Sequence, residues 1–542
     1  MHRGIFSSLD FYAIQKANSF TNIKFHHKNN VNISKKFMKN LQNIPKIFYQ
    51  VMENKFLYFS FILLAAFLIT SSNFFFWDAA VLEVGILEGD LSGWKDIHLM
   101  AGLNINYFYY FAVFKLSQIL PGSHGILFAS FSIIWISALA HELGKICRKY
   151  FYFSKDDIYF LKCLIFILPI WNILSSQVIH FYVFTYYLLF AGFNLFESKN
   201  VLYKFIALFF LLISFANAVN HLMIIGLAIL PLGHSFTSKD FKSLKKFLYR
   251  FIFLSLFSIL VFLVYRELFQ ADDFYENYNK LNILSFRAYL AGIFSFGIWF
   301  IFSIFIFMIS SALSRIVFNQ TFNNSFFSTK SLVRILSILF LLICAATPYI
   351  LVNKYPSLDN LYTWESRHAI LFLIILIPFI LSINKAIFGN KKNSMAIFSL
   401  IIFTFFSHHM STKIDDRFHF SILQQSLPEE MPNPGVIELH ADLPFSNSLR
   451  HYGLSNIFYK KYDRIDWFIY FQSEESTNYN IPDIQKKYFG KMMQSLVGQN
   501  LVCKSTIHFS EFESTYQDKL NWLLFNAIPV LEIDKIEQDC KK

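Results

Sequence analysis

The chain has 542 residues, of which 55% are hydrophobic and only 15% charged, and it carries 69 phenylalanines. A water-soluble protein this apolar would need a core larger than its surface can cover, so repeated membrane crossing is the class these numbers select. The net charge of +12 does not signal nucleic acid, because the lysines and arginines fall between apolar runs and form no single basic face.

Roughly the first fifty residues are polar and basic and hold neither an apolar h-region nor a small-residue cleavage site, so no cleavable signal peptide is expected. Apolar segments then recur at Phe56–Phe76, His124–Leu143, Ile158–Leu174, Val178–Phe196, Leu202–Ala216, Val219–Phe236, Phe247–Val264, Leu284–Ser310, Leu332–Val352, His368–Lys385 and Met395–Met410. These predict a polytopic α-helical membrane protein with about eleven crossings, several shorter than the usual ~17–25 residues and completed by their flanks. The segment Asn104–Leu120 (NINYFYYFAVFKLSQIL) reads as a juxtamembrane helix in the interface. Counting it as a crossing would place Lys145, Arg148, Lys149 and Lys155 outside, against the positive-inside rule. With it in the interface, inner loops hold roughly seventeen Lys/Arg and outer loops about five, which puts the N-terminus in the cytoplasm.

Composition shifts near Ser411, beyond which β-rich runs (GVIELHAD, RIDWFIYF, LVCKSTIHFS) alternate with helical stretches such as SNSLRHYGLSNIFYKKY. The expected organisation is a cytoplasmic segment 1–55, a transmembrane domain 56–410 and a small extracytoplasmic α/β domain 411–542. The expected location is a bacterial cytoplasmic (inner) membrane. Of the five cysteines, Cys503 and Cys540 alone fall in the outer domain, where an oxidising compartment permits a disulfide; a loose C-terminal tail is the alternative.

Directly behind the first apolar run comes FFFWDAAVLEVGILEGDLSGWKD (Phe74–Asp96), with carboxylates at Asp78, Glu83, Glu88, Asp90 and Asp96. Ala79, Leu82 and Ile86 recur at helical spacing, the pattern of a short amphipathic helix along the membrane surface ending at Gly89. Acids are common in outer loops and tryptophans anchor interfaces, which is the ordinary reading. A carboxylate pinned at the mouth of a bundle, as Asp78 would be, can also serve as a general base.

A first helix leading into W-D-A-A-x-x-x-x-G-x-L-x-G-D (Trp77–Asp90) resembles the GT-C superfamily of integral-membrane glycosyltransferases. The resemblance covers the chain to about Met410. It implies a GT-C-like bundle, a polyprenyl-phosphate or pyrophosphate sugar donor, and a glycan or lipid-linked acceptor on the outer face. The acid at the start of the first outer loop maps onto Asp78, with Glu83 or Asp90 as second acids. The doubled acid of several branches is absent, Ala79 following Asp78, so no subfamily is assigned and a divalent metal stays open.

An anionic lipid phosphate calls for an arginine at the membrane surface. TWESRHAILF sets Arg367 and His368 at the outer start of the tenth apolar run, and Arg367 resembles the phosphate-binding position of GT-C enzymes; snorkelling and pairing with Glu365 is the alternative. Arg287, Arg266, His180 and His221 also fall near outer helix ends as pocket candidates, each with a structural role as its ordinary reading. His408, His409, Asp415 and Asp416 could hold a metal, and the acidic loop ADDFYENY (Ala271–Tyr278) could close as a lid. The absence of P-loop, H-E-x-x-H and G-x-S-x-G motifs argues against ATPase, metalloprotease and lipase chemistry. Two rival readings stand beside the transferase: a transporter or flippase of lipid-linked saccharides, and a non-catalytic scaffold of surface-glycan assembly.

Overall fold

The computed structural model describes residues 55–71, 82–83, 85–87, 89–120, 124–171, 180–238, 242–270, 285–318, 328–356, 364–389, 393–430, 435–440, 451–462, 467–471, 503–510 and 512–540. The described residues begin with α1 (Lys55–Ser71), short helical stretches at 82–83 and 85–87, α2 (Ser92–Met100) and α3 (Asn104–Ile119). Next come α4 (His124–Tyr150), α5 (Lys155–Phe166), α6 (His180–Phe196), α7 (Val201–Ser214) and α8 (Val219–Ser238). Long helices follow: α9 (Lys242–Leu268), α10 (Phe286–Phe318) and α11 (Thr329–Leu351). A 3-10 turn at Trp364–Ala369 runs into α12 (Ile370–Phe388), and α13 (Asn393–Ser426) closes the helical part. Polar residues set several starts. Ser154 and Asp157 form a reciprocal capping box at α5, and the side chains of Asn200 and Ser328 accept from the first free N–H groups of α7 and α11.

Six helical segments are long and apolar enough to cross a membrane: Leu127–Tyr150, Phe247–Leu268, Phe286–Phe318, Thr329–Leu351, Arg367–Phe388 and Asn393–Ser426. The chain is therefore a helical membrane protein, but the described residues give six such segments and not the eleven crossings expected from the apolar runs. For α5 and α7 the reason is length. At ~1.5 Å per residue, α5 (12 residues) and α7 (14 residues) cover roughly 18–21 Å of a ~30 Å hydrocarbon layer. The described parts of α1 and α6 are 17 residues each, and Pro231 lies inside α8. Burial inside the bundle demands apolar residues as strongly as lipid does, so hydropathy alone overcounts. Most of α6 is buried.

The same distinction orders the long helices. In α12 83% of the apolar window is buried, against 22% in α9 and 28% in α10. Thus α12 is the central post, while α9 and α10 turn Leu256, Leu260, Ile301 and Met308 outward as a lipid-compatible face. At one end of the bundle Glu197 accepts from Lys149, Tyr150 and Arg250, and Asp157 pairs with Lys385. These ties join α4, α6 and α9, and α5 with α12.

At the other end α13 continues without a break through Ser411, where the composition changes. Its last turns place Phe418, Ile422 and Leu423 in a second core with Ile437, Leu439, Leu454, Ile457, Ile507 and Trp522. That core belongs to a four-stranded sheet of order β2-β1-β3-β4, built from β1 (Gly435–His440), β2 (Trp467–Phe471), β3 (Cys503–Phe509) and β4 (Ile533–Cys540). The central β1 is parallel to β2 and β3, and β4 is antiparallel to β3. Between the strands lie α14 (His451–Tyr462) and α15 (Tyr516–Phe525). A second lock joins α13 to α15 through Asp415–Lys519 and the Phe418–Trp522 ring pair.

Candidate functional site

A group of buried polar side chains lies at the sheet end of α6, α11 and the 3-10 turn. Arg367 is 6% exposed and His368 4%. The His368 ring lies against Tyr349, with centroids 4.7 Å apart, and the Tyr349 hydroxyl is 3.4 Å from that of Tyr186 on α6. Asn217, in the turn between α7 and α8, reaches both the Thr185 hydroxyl and Tyr186. Lys354 completes the group. After α11 ends, Asn353 takes a left-handed conformation, the Lys354 amide donates to the Tyr349 carbonyl, and the Ser295 hydroxyl of α10 donates to the Pro356 carbonyl. This folds Lys354 back within the field of Arg367. Burial, then that like charge, pulls its ammonium down to about 7.

On the adjoining face of α11 lies a cavity of about 540 Å³, lined by Tyr289, Ile293 and Gly297 of α10, Ala346 and Ile350 of α11, and Phe372 of α12. Tyr349 turns to the Arg367 group while Ile350 and Leu351 turn to the cavity, so one helix end separates a polar cluster around Arg367 from an apolar slot. Phe372 stands one helical turn beyond His368. A lipid phosphate needs these two environments side by side, one for the charge and one for the chain.

The first loop at this end forms a platform beside the cluster. Leu82, Ile86, Trp94, Tyr110, Phe114, Phe128 and Phe181 share a core. Tyr182 of α6 lies between the two, near Tyr110 on one side and near Tyr186 and Tyr349 on the other.

The residues singled out from the sequence fare differently. Arg367 and His368 lie together in the buried cluster. Glu83 is not open to a pocket, because Asn456 and Lys460 of α14 hold its two carboxylate oxygens. Asp90 is exposed and caps α2, accepting from the Ser92 amide and hydroxyl. His180 is fully buried; its Nδ1 meets the Tyr109 hydroxyl at 2.7 Å, and that hydroxyl accepts from Trp135 Nε1. Its Nε2 has no hydrogen-bond partner among the described residues, and the ring sits edge-on to Phe128 and Tyr110. His180 thus pins α3 to α4 and α6. His221 is also structural. It bonds Ser258 of α9 and the Phe215 carbonyl and stacks on Phe215. Arg287 and Arg266 are exposed. Asp78, Glu88 and the loop Ala271–Tyr278 lie outside the described residues, as does the side chain of Glu365.

For a metal, the described residues bring no three His, Cys, Asp or Glu side chains together. The acids near His408 and His409 are already engaged: Asp416 pairs with Lys413, and Asp415 with Lys519. The described residues there do not fit a divalent ion. Cys503 is disulfide-bonded and stands opposite Cys540 in the β3–β4 ladder, while Cys147, Cys163 and Cys344 are in no disulfide.

Lys354, Tyr186, Tyr349 and the cavity escaped sequence reading. The only signal for Lys354 was its place in VNKYP, just beyond an apolar run. Cavity-lining residues look the same in sequence as lipid-facing ones. No family model matches the chain, and neither does any curated protein or solved structure.

Proposed function

We propose that the protein transfers a sugar from a polyprenyl-phosphate-type donor to a glycan or lipid-linked acceptor, as its likeness to GT-C glycosyltransferases implies. The observation that carries this reading is the pairing across one helix end of a polar cluster (buried Arg367 and His368 with half-buried Lys354) with an apolar cavity of about 540 Å³. Arg367 and Lys354 neutralise the donor phosphate, and the polyprenyl chain enters the cavity between α10 and α11.

The acceptor hydroxyl attacks the anomeric carbon from the side opposite the phosphate, forming a new glycosidic C–O bond as the bond to phosphate oxygen breaks. Its proton passes to Asp78, and the lipid phosphate leaves with the bonding electrons, stabilised by the two cations. Configuration inverts. The sheet end faces outward from a bacterial cytoplasmic membrane on this reading, and the disulfide at Cys503 supports an oxidising compartment for it.

Reconstitution in liposomes with a polyprenyl-phosphate sugar and a lipid-linked acceptor tests the reading. Asp78→Asn is expected to abolish transfer while lipid-phosphate binding persists. Undiminished transfer by that variant removes the base and with it the mechanism. Movement of a fluorescent lipid-phosphate analogue across the bilayer, with no sugar transfer, would make the protein a flippase instead.

A further inference from the structure

The sequence offered Glu83 as a second acid for the reaction, but its surroundings give it a different task. Leu82 and Ile86, one helical turn apart, fix one face of the 82–87 stretch in the platform core. Glu83, projecting from an adjoining face, is 9% exposed. Asn456 Nδ2 donates to its Oε2 at 2.6 Å, and Lys460 Nζ lies 2.8 Å from its Oε1. Asn456 and Lys460 are themselves one turn apart on α14, whose other face buries Leu454, Ile457 and Phe458 in the core of the sheet domain.

The loop beyond is equally constrained. The Asp90 amide donates to the Gly85 carbonyl, and a Cβ at Gly85 would stand 2.7 Å from the Asp90 carbonyl oxygen, so only glycine closes this turn. The segment that begins at Leu82, four residues after Asp78 in sequence, is therefore held from one side by the platform core and from the other by the sheet domain.

We infer that Glu83 is a positioning residue, the latch through which α14 holds the first loop in register with the Arg367 cluster. The sheet domain is then part of the site's scaffold and not an appended module. A carboxylate with both oxygens engaged by an amide and an ammonium is a poor proton acceptor and a good anchor, because breaking either contact strands a buried charge. The role in catalysis rests on the transferase reading; the latch itself does not.

The test uses the full chain in lipid nanodiscs with Glu83→Gln, Lys460→Met and the charge reversal Glu83→Lys with Lys460→Glu. In the reversal Asn456 Oδ1, which has no hydrogen-bond partner among the described residues, can accept from the new lysine. Hydrogen exchange of the amides in 85–91 is expected to speed up roughly tenfold in each single variant and to return towards wild type in the reversal. Glu83→Gln is the milder change, since the Lys460 it leaves behind is a quarter exposed (25%) and can turn to solvent, whereas Lys460→Met strands the buried carboxylate. Unchanged exchange in both single variants overturns the latch, whether or not the protein transfers sugar. Where wild type transfers sugar, the single variants are expected to lose kcat with lipid-phosphate binding intact, and the reversal to recover it. A reversal that restores exchange protection but not transfer would make Glu83 a reacting acid and overturn the positioning role.

Discussion

Lys354 lies in the field of the Arg367 guanidinium at the sheet end of α11, and burial together with that like charge brings its ammonium down to about 7. The shift is a depression from 10.5, so Lys354 is cationic below about pH 7 and neutral above it. A phosphodiester probe keeps one negative charge across this range. Its affinity is therefore expected to fall as pH rises through 7, by up to about tenfold per pH unit, with proton uptake on binding at pH 8. Without ligand the sign reverses. The unfolded chain keeps its lysine proton up to its own higher pKa, so stability rises between about pH 7 and 10 as the buried charge is relieved. Titration of a glycosyl phosphodiester from pH 6 to 8.5 checks this; Lys354→Met should flatten the profile, and a flat wild-type profile would remove Lys354 from the site.

Arg367 tests whether the cluster recognises phosphate by shape as well as by charge. Arg367→Lys keeps the charge but loses the planar fork, and is expected to weaken lipid-phosphate binding about tenfold, or about 1.4 kcal/mol. Arg367→Ala removes both, with an expected loss of about 3 kcal/mol. Equal affinities for wild type and Arg367→Lys, by native mass spectrometry or calorimetry, would leave only a point charge in the site.

Two glycines of α10 separate the cavity from the helix contact beside it. A Cβ at Gly297 meets nothing within 4 Å, whereas one at Gly292 would stand 2.9 Å from Ile350. Gly297→Leu should narrow the slot without strain. A lipid tail there competes with bilayer lipid and not with water, so the gain lost is packing, about 1 kcal/mol or fivefold in affinity, and only for long-chain phosphates. Gly292→Leu should instead push α10 from α11 and lower thermal stability by about 1–3 kcal/mol. Equal effects of the two on long- and short-chain binding would mean that the cavity is not a tail site.

The sequence announced its membrane class and three of its strands plainly, because lipid burial and a half-buried sheet leave strong local patterns. GVIELH, WFIYF and CKSTIHF are such strands. β4 escaped, since IDKIEQDC is an exposed edge strand whose charges hide its pairing. The count of spans failed for the reason α6 illustrates: a helix buried among other helices is as apolar as one facing lipid. Arg367 and His368 were legible from their place at the start of an apolar run. The fate of Glu83 was not, because its partners Asn456 and Lys460 lie on a helix of the sheet domain that no local pattern links to the first loop.

The disulfide at Cys503 makes the last prediction. Cys503 stands opposite Cys540, the final described residue of the edge strand β4, so the bond closes the loop that contains α15. In the chain-entropy account a loop of this size contributes about 3–4 kcal/mol to the sheet domain. β4 is largely exposed and pairs on one side only, so it has little else to hold it. Cys503→Ser, or mild reductant, is expected to speed hydrogen exchange in β4 first and to lower the unfolding temperature of the sheet domain. The Glu83 latch runs through α14, and β4 lies at the opposite edge of the sheet from β2, the strand that follows α14. Exchange at 85–91 and lipid-phosphate affinity should therefore stay at wild-type values. Loss of both on reduction would mean that the sheet unfolds as one unit and that the latch depends on all four strands, which a chemically cross-linked β3–β4 pair would then restore.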